Sequence, residues 1–129
     1  MSAQVLVIED NEANLELMTY LLRAFGYATE VARDGLAGLE RIRRGGIDLV
    51  ICDIQLPGLD GLALVTEARA TAAGRGIPLL AVTAFAQAGD RERLLSAGFD
   101  GYVSKPIEPE TFVDRIADFL PPALRAKRP

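Results

Sequence analysis

The sequence contains no histidine and a single cysteine, Cys52, in 129 residues. Without histidine there is no imidazole to bind a metal or act as a general base, and the chain cannot carry a phosphohistidine of its own. One cysteine excludes an internal disulfide and fits a reducing compartment. No apolar run approaches the ~20 residues of a membrane-spanning helix. The N-terminus, Met1-Ser2-Ala3-Gln4, leads directly into a strand pattern and leaves no room for a signal peptide. A formal net charge of -4 argues against a general nucleic-acid or membrane surface binder. There is no internal repeat, low-complexity tract or second domain. The expectation is one cytoplasmic globular domain.

What is present is organised around residues 49–53, where Leu49, Val50, Ile51 and Cys52 run into Asp53. An unbroken apolar run followed by turn residues (Leu56-Pro57-Gly58) reads as a strand buried on both faces. Similar short runs occur at residues 4–8, 79–82 and 101–104, with a more polar one at 27–31 that suits a sheet edge. Between them lie helical patterns. Leu15, Met18, Leu21, Leu22 and Phe25 mark the first, with Asn11 as its N-cap and Gly26 as its stop. Leu36, Leu39 and Ile42 mark the second, whose later turns carry Arg41, Arg43 and Arg44. The third runs over 61–73 with Leu62, Val65 and Ala68 in register. The fourth, over 87–97, has sparse anchors in Leu94 and Leu95. The fifth starts near Pro109 and turns Phe112, Ile116, Phe119 and Leu120 inward. The domain is read as 1–122, with 123–129 a loose basic tail. Strict alternation of strand and helix predicts an α/β fold, a parallel sheet with helices on both faces.

In such a sheet the strand ends share one edge, where ligands bind. Glu9 and Asp10, Asp53, Thr83 and Lys105 all lie just past a strand. Three carboxylates together repel one another. A hard divalent cation relieves that, and Mg²⁺ takes one or two carboxylates with waters and phosphate oxygens. Lys105 and Thr83 suit phosphoryl oxygens, and Asp53 could accept the phosphoryl group as a nucleophile. Singly, each residue has an ordinary explanation: helix cap, turn cap, strand-end hydroxyl, solvated charge. The conjunction favours the functional reading. Cys52 should point away from Asp53 as a core thiol. Arg41 to Arg44 read as a solvated helix end, and Tyr102 as either a half-buried core aromatic or a switch residue.

These residues resemble the receiver domains of two-component response regulators. Val7-Ile8-Glu9-Asp10-Asn11, the run from Asp53 to Gly61, Ala81-Val82-Thr83-Ala84 and Ser104-Lys105-Pro106 carry the resemblance. It implies a flavodoxin-like (βα)5 fold with strand order 2-1-3-4-5. Asp53 would be the phosphorylated aspartate. Asp10 would hold Mg²⁺ directly and Glu9 at least partly through water, with the backbone carbonyl of Gln55 completing the protein ligands. Thr83 and Lys105 would bind phosphoryl oxygens, the Lys105–Pro106 peptide would be cis, and Tyr102 would be the switch aromatic. The partners implied are a histidine kinase or histidine phosphotransferase, and a downstream protein bound through the face of helix four, strand five and helix five. The chain would be a monomer or a phosphorylation-dependent dimer, a phosphoacceptor rather than an enzyme. Asn11, Asn14 and the run Ala81-Val82-Thr83-Ala84-Phe85-Ala86 are similar to DivK-like single-domain regulators of bacterial cell division. Receivers of hybrid sensor kinases share much of that pattern. Gln55 and Phe85 occupy positions beside the path of attacking water and are not acidic, which implies slow self-hydrolysis.

Two other classes fit parts of the pattern. An Asp-nucleophile, Mg²⁺-dependent phosphohydrolase of the haloacid dehalogenase type would need a second acid where Gln55 stands. A constitutive adaptor would keep the fold but would have no use for the acids, Thr83 and Lys105.

Overall fold

The computed structural model describes residues 3–84 and 89–125. Strands β1 (Gln4–Ile8), β2 (Ala28–Ala32), β3 (Leu49–Asp53), β4 (Leu79–Thr83) and β5 (Gly101–Ser104) alternate with helices α1 (Glu12–Ala24), α2 (Gly35–Arg43), α3 (Gly61–Arg69), α4 (Asp90–Ala97) and α5 (Pro109–Asp118). The strands form one parallel sheet in the order β2-β1-β3-β4-β5. β2, the most polar strand, lies at an edge, and β3 and β4 are buried along their whole length.

Because side chains alternate along a strand, the sheet divides its apolar residues between two cores. Val5, Val7, Ile51 and Val82 meet Leu15, Met18 and Leu22 of α1 and Phe112 and Ile116 of α5. Leu6, Ile8, Val50, Cys52 and Ala81 meet Leu39 and Ile42 of α2, Leu64 and Val65 of α3, and Leu94 of α4. Each fully buried Leu, Ile or Phe is worth ~1.5–3 kcal/mol over exposure, so the two faces lock the sheet between helix layers. Asn11, Asp34 and Asp60 cap α1, α2 and α3 by accepting from the N–H of Asn14, Ala37 and Ala63.

Four expectations change. α3 ends at Arg69, not at 73. Thr71 Oγ1 donates to Ala68 O at 2.7 Å and accepts from Gly74 N at 2.9 Å, which gives the backbone a turn instead of another helical bond. Leu36 is exposed, and α2 instead buries Gly35, Gly38, Leu39 and Ile42. Of the two anchors expected in α4 only Leu94 is buried. The tail does not start loose, since Pro122–Leu124 form a turn of 3-10 helix and Leu124 packs on the α1/α5 core. Residues 87 and 88 of the expected fourth helix lie outside the described residues, as do Phe85, Ala86 and residues 126–129.

Candidate functional site

The site lies at the C-terminal edge of the sheet. β1 delivers Glu9, whose N–H donates to Ala32 O at 3.0 Å. The Glu9 side chain is fully buried. Its Oε2 accepts from the backbone N–H of Asp10 (3.1 Å) and Asn11 (3.3 Å), so the start of α1 clamps it inward. Its Oε1 meets no hydrogen-bond donor among the described residues. Asp10, one residue on, is exposed. β3 delivers Asp53, which is 3% exposed. Both carboxylate oxygens are held: Oδ1 accepts from Gln55 N–H at 3.0 Å, and Oδ2 from Lys105 Nζ at 2.7 Å. Gly61, the first residue of α3, lets that helix pack directly behind Asp53. A Cβ there would stand 2.7 Å from the Asp53 carbonyl oxygen and 2.8 Å from Ile54 Cα.

β4 delivers Thr83, buried and in register with Ser104 of β5. Lys105 N–H donates to Thr83 O at 2.8 Å, and the Lys105–Pro106 peptide is cis, as the resemblance implied. All the residues predicted to converge therefore reach one edge. Gln55 reaches Asp53 through its backbone N–H, while its side chain is exposed.

Glu9, Asp10 and Asp53 each place a carboxylate oxygen within 4.8 Å of the others. One ammonium, that of Lys105, faces these acids. Burial first, and then the neighbouring Asp53 carboxylate, push the Glu9 carboxyl up to about 8. A buried oxygen without a donor, beside two further carboxylates, is the setting a hard cation satisfies. The donor set, all oxygen and with one exposed member open to water, fits Mg²⁺ rather than a soft metal. Cys52 behaves as expected: it lies on the opposite face of β3 from this cluster, and burial pushes its thiol far up, out of reactive range.

Tyr102 is half-buried, packs against the α2/α3 core and lines a groove of about 550 Å³ along the outer edge of β5. Arg115 of α5 also lines that groove, donates to Tyr102 O at 3.0 Å and stacks over Phe119. Sequence reasoning missed Arg115. A helix arginine 13 residues from its acceptor leaves no local signature. The reading of Arg41 as solvated also needs correction. It grips Glu30 of β2 through Nε (2.7 Å) and Nη2 (2.8 Å), fastening α2 to the edge strand.

Comparison with known proteins agrees with this geometry. The response regulator receiver domain profile matches residues 5–117. The chain is 41% identical over 120 residues to the polar-differentiation response regulator DivK of Brucella ovis, covering 93% of this chain and 98% of that one. Among solved structures, it matches the receiver domain of a sensor histidine kinase from Pseudomonas aeruginosa PAO1 with a TM-score of 0.85, 33% identity and coverage of 92% and 98%. That crystal structure has a magnesium ion coordinated in its active-site cleft. It also matches the chemotaxis response regulator CheY4 of Vibrio cholerae with a TM-score of 0.89, 25% identity and coverage of 93% and 100%.

Proposed function

The chain belongs to the response regulator receiver family, and from that premise we propose that Asp53 accepts a phosphoryl group from a partner's phosphohistidine. The observation that carries this is the hold on Asp53: Lys105 on one oxygen, a backbone N–H on the other, and two more carboxylates beside it. A carboxylate oxygen of Asp53 attacks phosphorus, the P–N bond breaks, and the partner's imidazole leaves. Lys105 shifts its ammonium from Asp53 to a phosphoryl oxygen, and the Thr83 hydroxyl donates to another. Mg²⁺, held by Asp10, Asp53, the Gln55 carbonyl and Glu9 in part through water, would neutralise phosphoryl charge. Positioning and charge neutralisation are most of what phosphoryl transfer needs.

With no histidine in this sequence, a relay to Asp53 draws on a phosphohistidine outside these residues, on a histidine kinase or histidine phosphotransferase. The output is protein binding through the face of α4, β5 and α5, with Thr83 and Tyr102 as the switch pair. Likeness to DivK supports a role in cell-division or cell-cycle control in the cytoplasm. No helix among the described residues is long and apolar enough to cross a membrane. The phosphohydrolase reading is disfavoured by Gln55, which stands where that class needs an acid.

Labelled phosphohistidine transfer tests the proposal. Native protein should take the label from a phosphorylated histidine phosphotransferase and Asp53→Asn should not; label on both would refute it. We also expect a long-lived phosphoryl group, because Gln55 offers no acid beside the water path. Loss of label within seconds would remove that part.

A further inference from the structure

Charge is divided between the two edges of the sheet. In an alternating parallel fold each helix starts where a strand ends, so the helix starts share the edge that carries Asp53. That edge gathers acids. Asp10 follows β1, Asp34 follows β2, Asp60 precedes α3 and Glu108 precedes α5, and each of these is exposed. Glu12 and Glu110 add carboxylates in the first turns of α1 and α5. The start of α4 is balanced, with Asp90 and Glu92 beside Arg91 and Arg93. Phe85, Ala86, Gln87 and Ala88 carry no charge. Arg33 is paired with Glu12, and Lys105 with Asp53.

The opposite edge is basic. Arg23, Arg43, Arg69 and Arg115 lie in the last turns of α1, α2, α3 and α5. Helix dipoles favour such a division, and Asp34 and Asp60 cap α2 and α3. Capping alone does not require the charge, since Asn caps as well as Asp. Glu108 makes no side-chain capping bond, and Asp10 lies ahead of the cap Asn11. Within this rim the fully buried Glu9 Oε1 meets no donor among the described residues, which marks the edge as one that takes a ligand.

We propose that the rim selects the phosphoryl donor by charge. The donor is a protein segment whose phosphohistidine sits among lysines and arginines. The acidic edge attracts that segment and the basic edge turns it away, so it arrives facing Asp53. Such steering acts on the rate of encounter and weakens as salt screens exposed charges. The proposal rests on the reading of Asp53 as the phosphoacceptor.

Two short phosphohistidine peptides test it on the full chain with Mg²⁺, one flanked by lysines and one by glutamates, with a small acyl phosphate as reference donor. In each peptide reaction the P–N bond breaks, an Asp53 oxygen bonds to phosphorus, and the imidazole leaves and takes up a proton from water. Intact mass against time gives the rates. At low salt the lysine peptide should react ~10-fold faster than the glutamate peptide. The ratio should fall to about two at roughly 0.5 M NaCl. Asp34→Asn, Asp60→Asn and Glu108→Gln together keep the caps and remove charge. They should shrink the low-salt ratio at least ~3-fold without slowing transfer from the acyl phosphate. Arg33→Gln strips Glu12 of its partner and should widen the ratio, which decides the matter if the triple variant does not fold. Glu40→Gln with Glu67→Gln removes charge further along α2 and α3 and should leave the ratio unchanged. Equal rates for the two peptides, a ratio indifferent to salt, or an equal effect of the Glu40 and Glu67 changes would overturn charge selection at this edge. Transfer from the acyl phosphate and from neither peptide would overturn it as well. No adduct from any donor would instead remove the phosphoacceptor reading on which it rests.

Discussion

Glu9 sits fully buried, its Oε2 accepting from two backbone amides and its Oε1 without a donor among the described residues. Its folded carboxyl titrates near 8 against an ordinary 4.5. Between those values the folded state keeps a proton that the unfolded state has lost. Folding stability of the metal-free protein should therefore fall as pH rises from about 4.5 to about 8, and stay level with respect to this group above that. Urea midpoints across pH 5–9 would show the slope, and Glu9→Gln should flatten it. On the proposed reading, a bound cation would take the place of that proton. Added Mg²⁺ should raise the midpoint by mass action, and by more at pH 9 than at pH 6. An equal effect at both pH values would mean that Glu9 is not in the metal's field. The acids, Asp53, Thr83 and Lys105 were legible in the sequence because each directly follows an apolar strand. The inward clamp on Glu9 was not, because it depends on how the Asp10 and Asn11 amides, just ahead of α1, are aimed.

At the scale of elements, alternation and strand order follow from apolar runs and helical spacing, and these were readable. Some misreadings come from partners distant in sequence. Counting apolar residues put Leu36 on the buried face of α2. That face is in fact built on two glycines, because a Cβ at Gly38 would come 2.5 Å from Ile8 Cδ1 and one at Gly35 2.0 Å from Leu59 O. A glycine packed for close approach is invisible to a count of apolar residues. Leu36→Ser should accordingly change stability by no more than ~0.5 kcal/mol, measured by urea denaturation. The end of α3 was hidden for a local reason: Ala72 and Ala73 favour helix, but Thr71 bonds Ala68 O and Gly74 N–H in a turn. Gly61→Ala is the informative contrast. It replaces glycine with the best helix former, yet its Cβ meets the Asp53 backbone. We predict a loss of ~1–3 kcal/mol from overpacking, seen as a lower urea midpoint at unchanged slope. A gain would mean that α3 can retreat from Asp53 without cost.

The whole molecule is a five-stranded parallel sheet between two helix layers, with its chemistry at one edge. Among the described residues, Lys105 is the one ammonium facing the three carboxylates, which suits the proposed arrival of an anion together with a cation. Intact mass after incubation with a small acyl-phosphate donor tests this most directly, with and without Mg²⁺, on native protein and on Asp53→Asn. The account predicts one phosphoryl adduct that requires both Mg²⁺ and Asp53. An adduct that persists in Asp53→Asn, or forms equally well with the metal chelated, would contradict it.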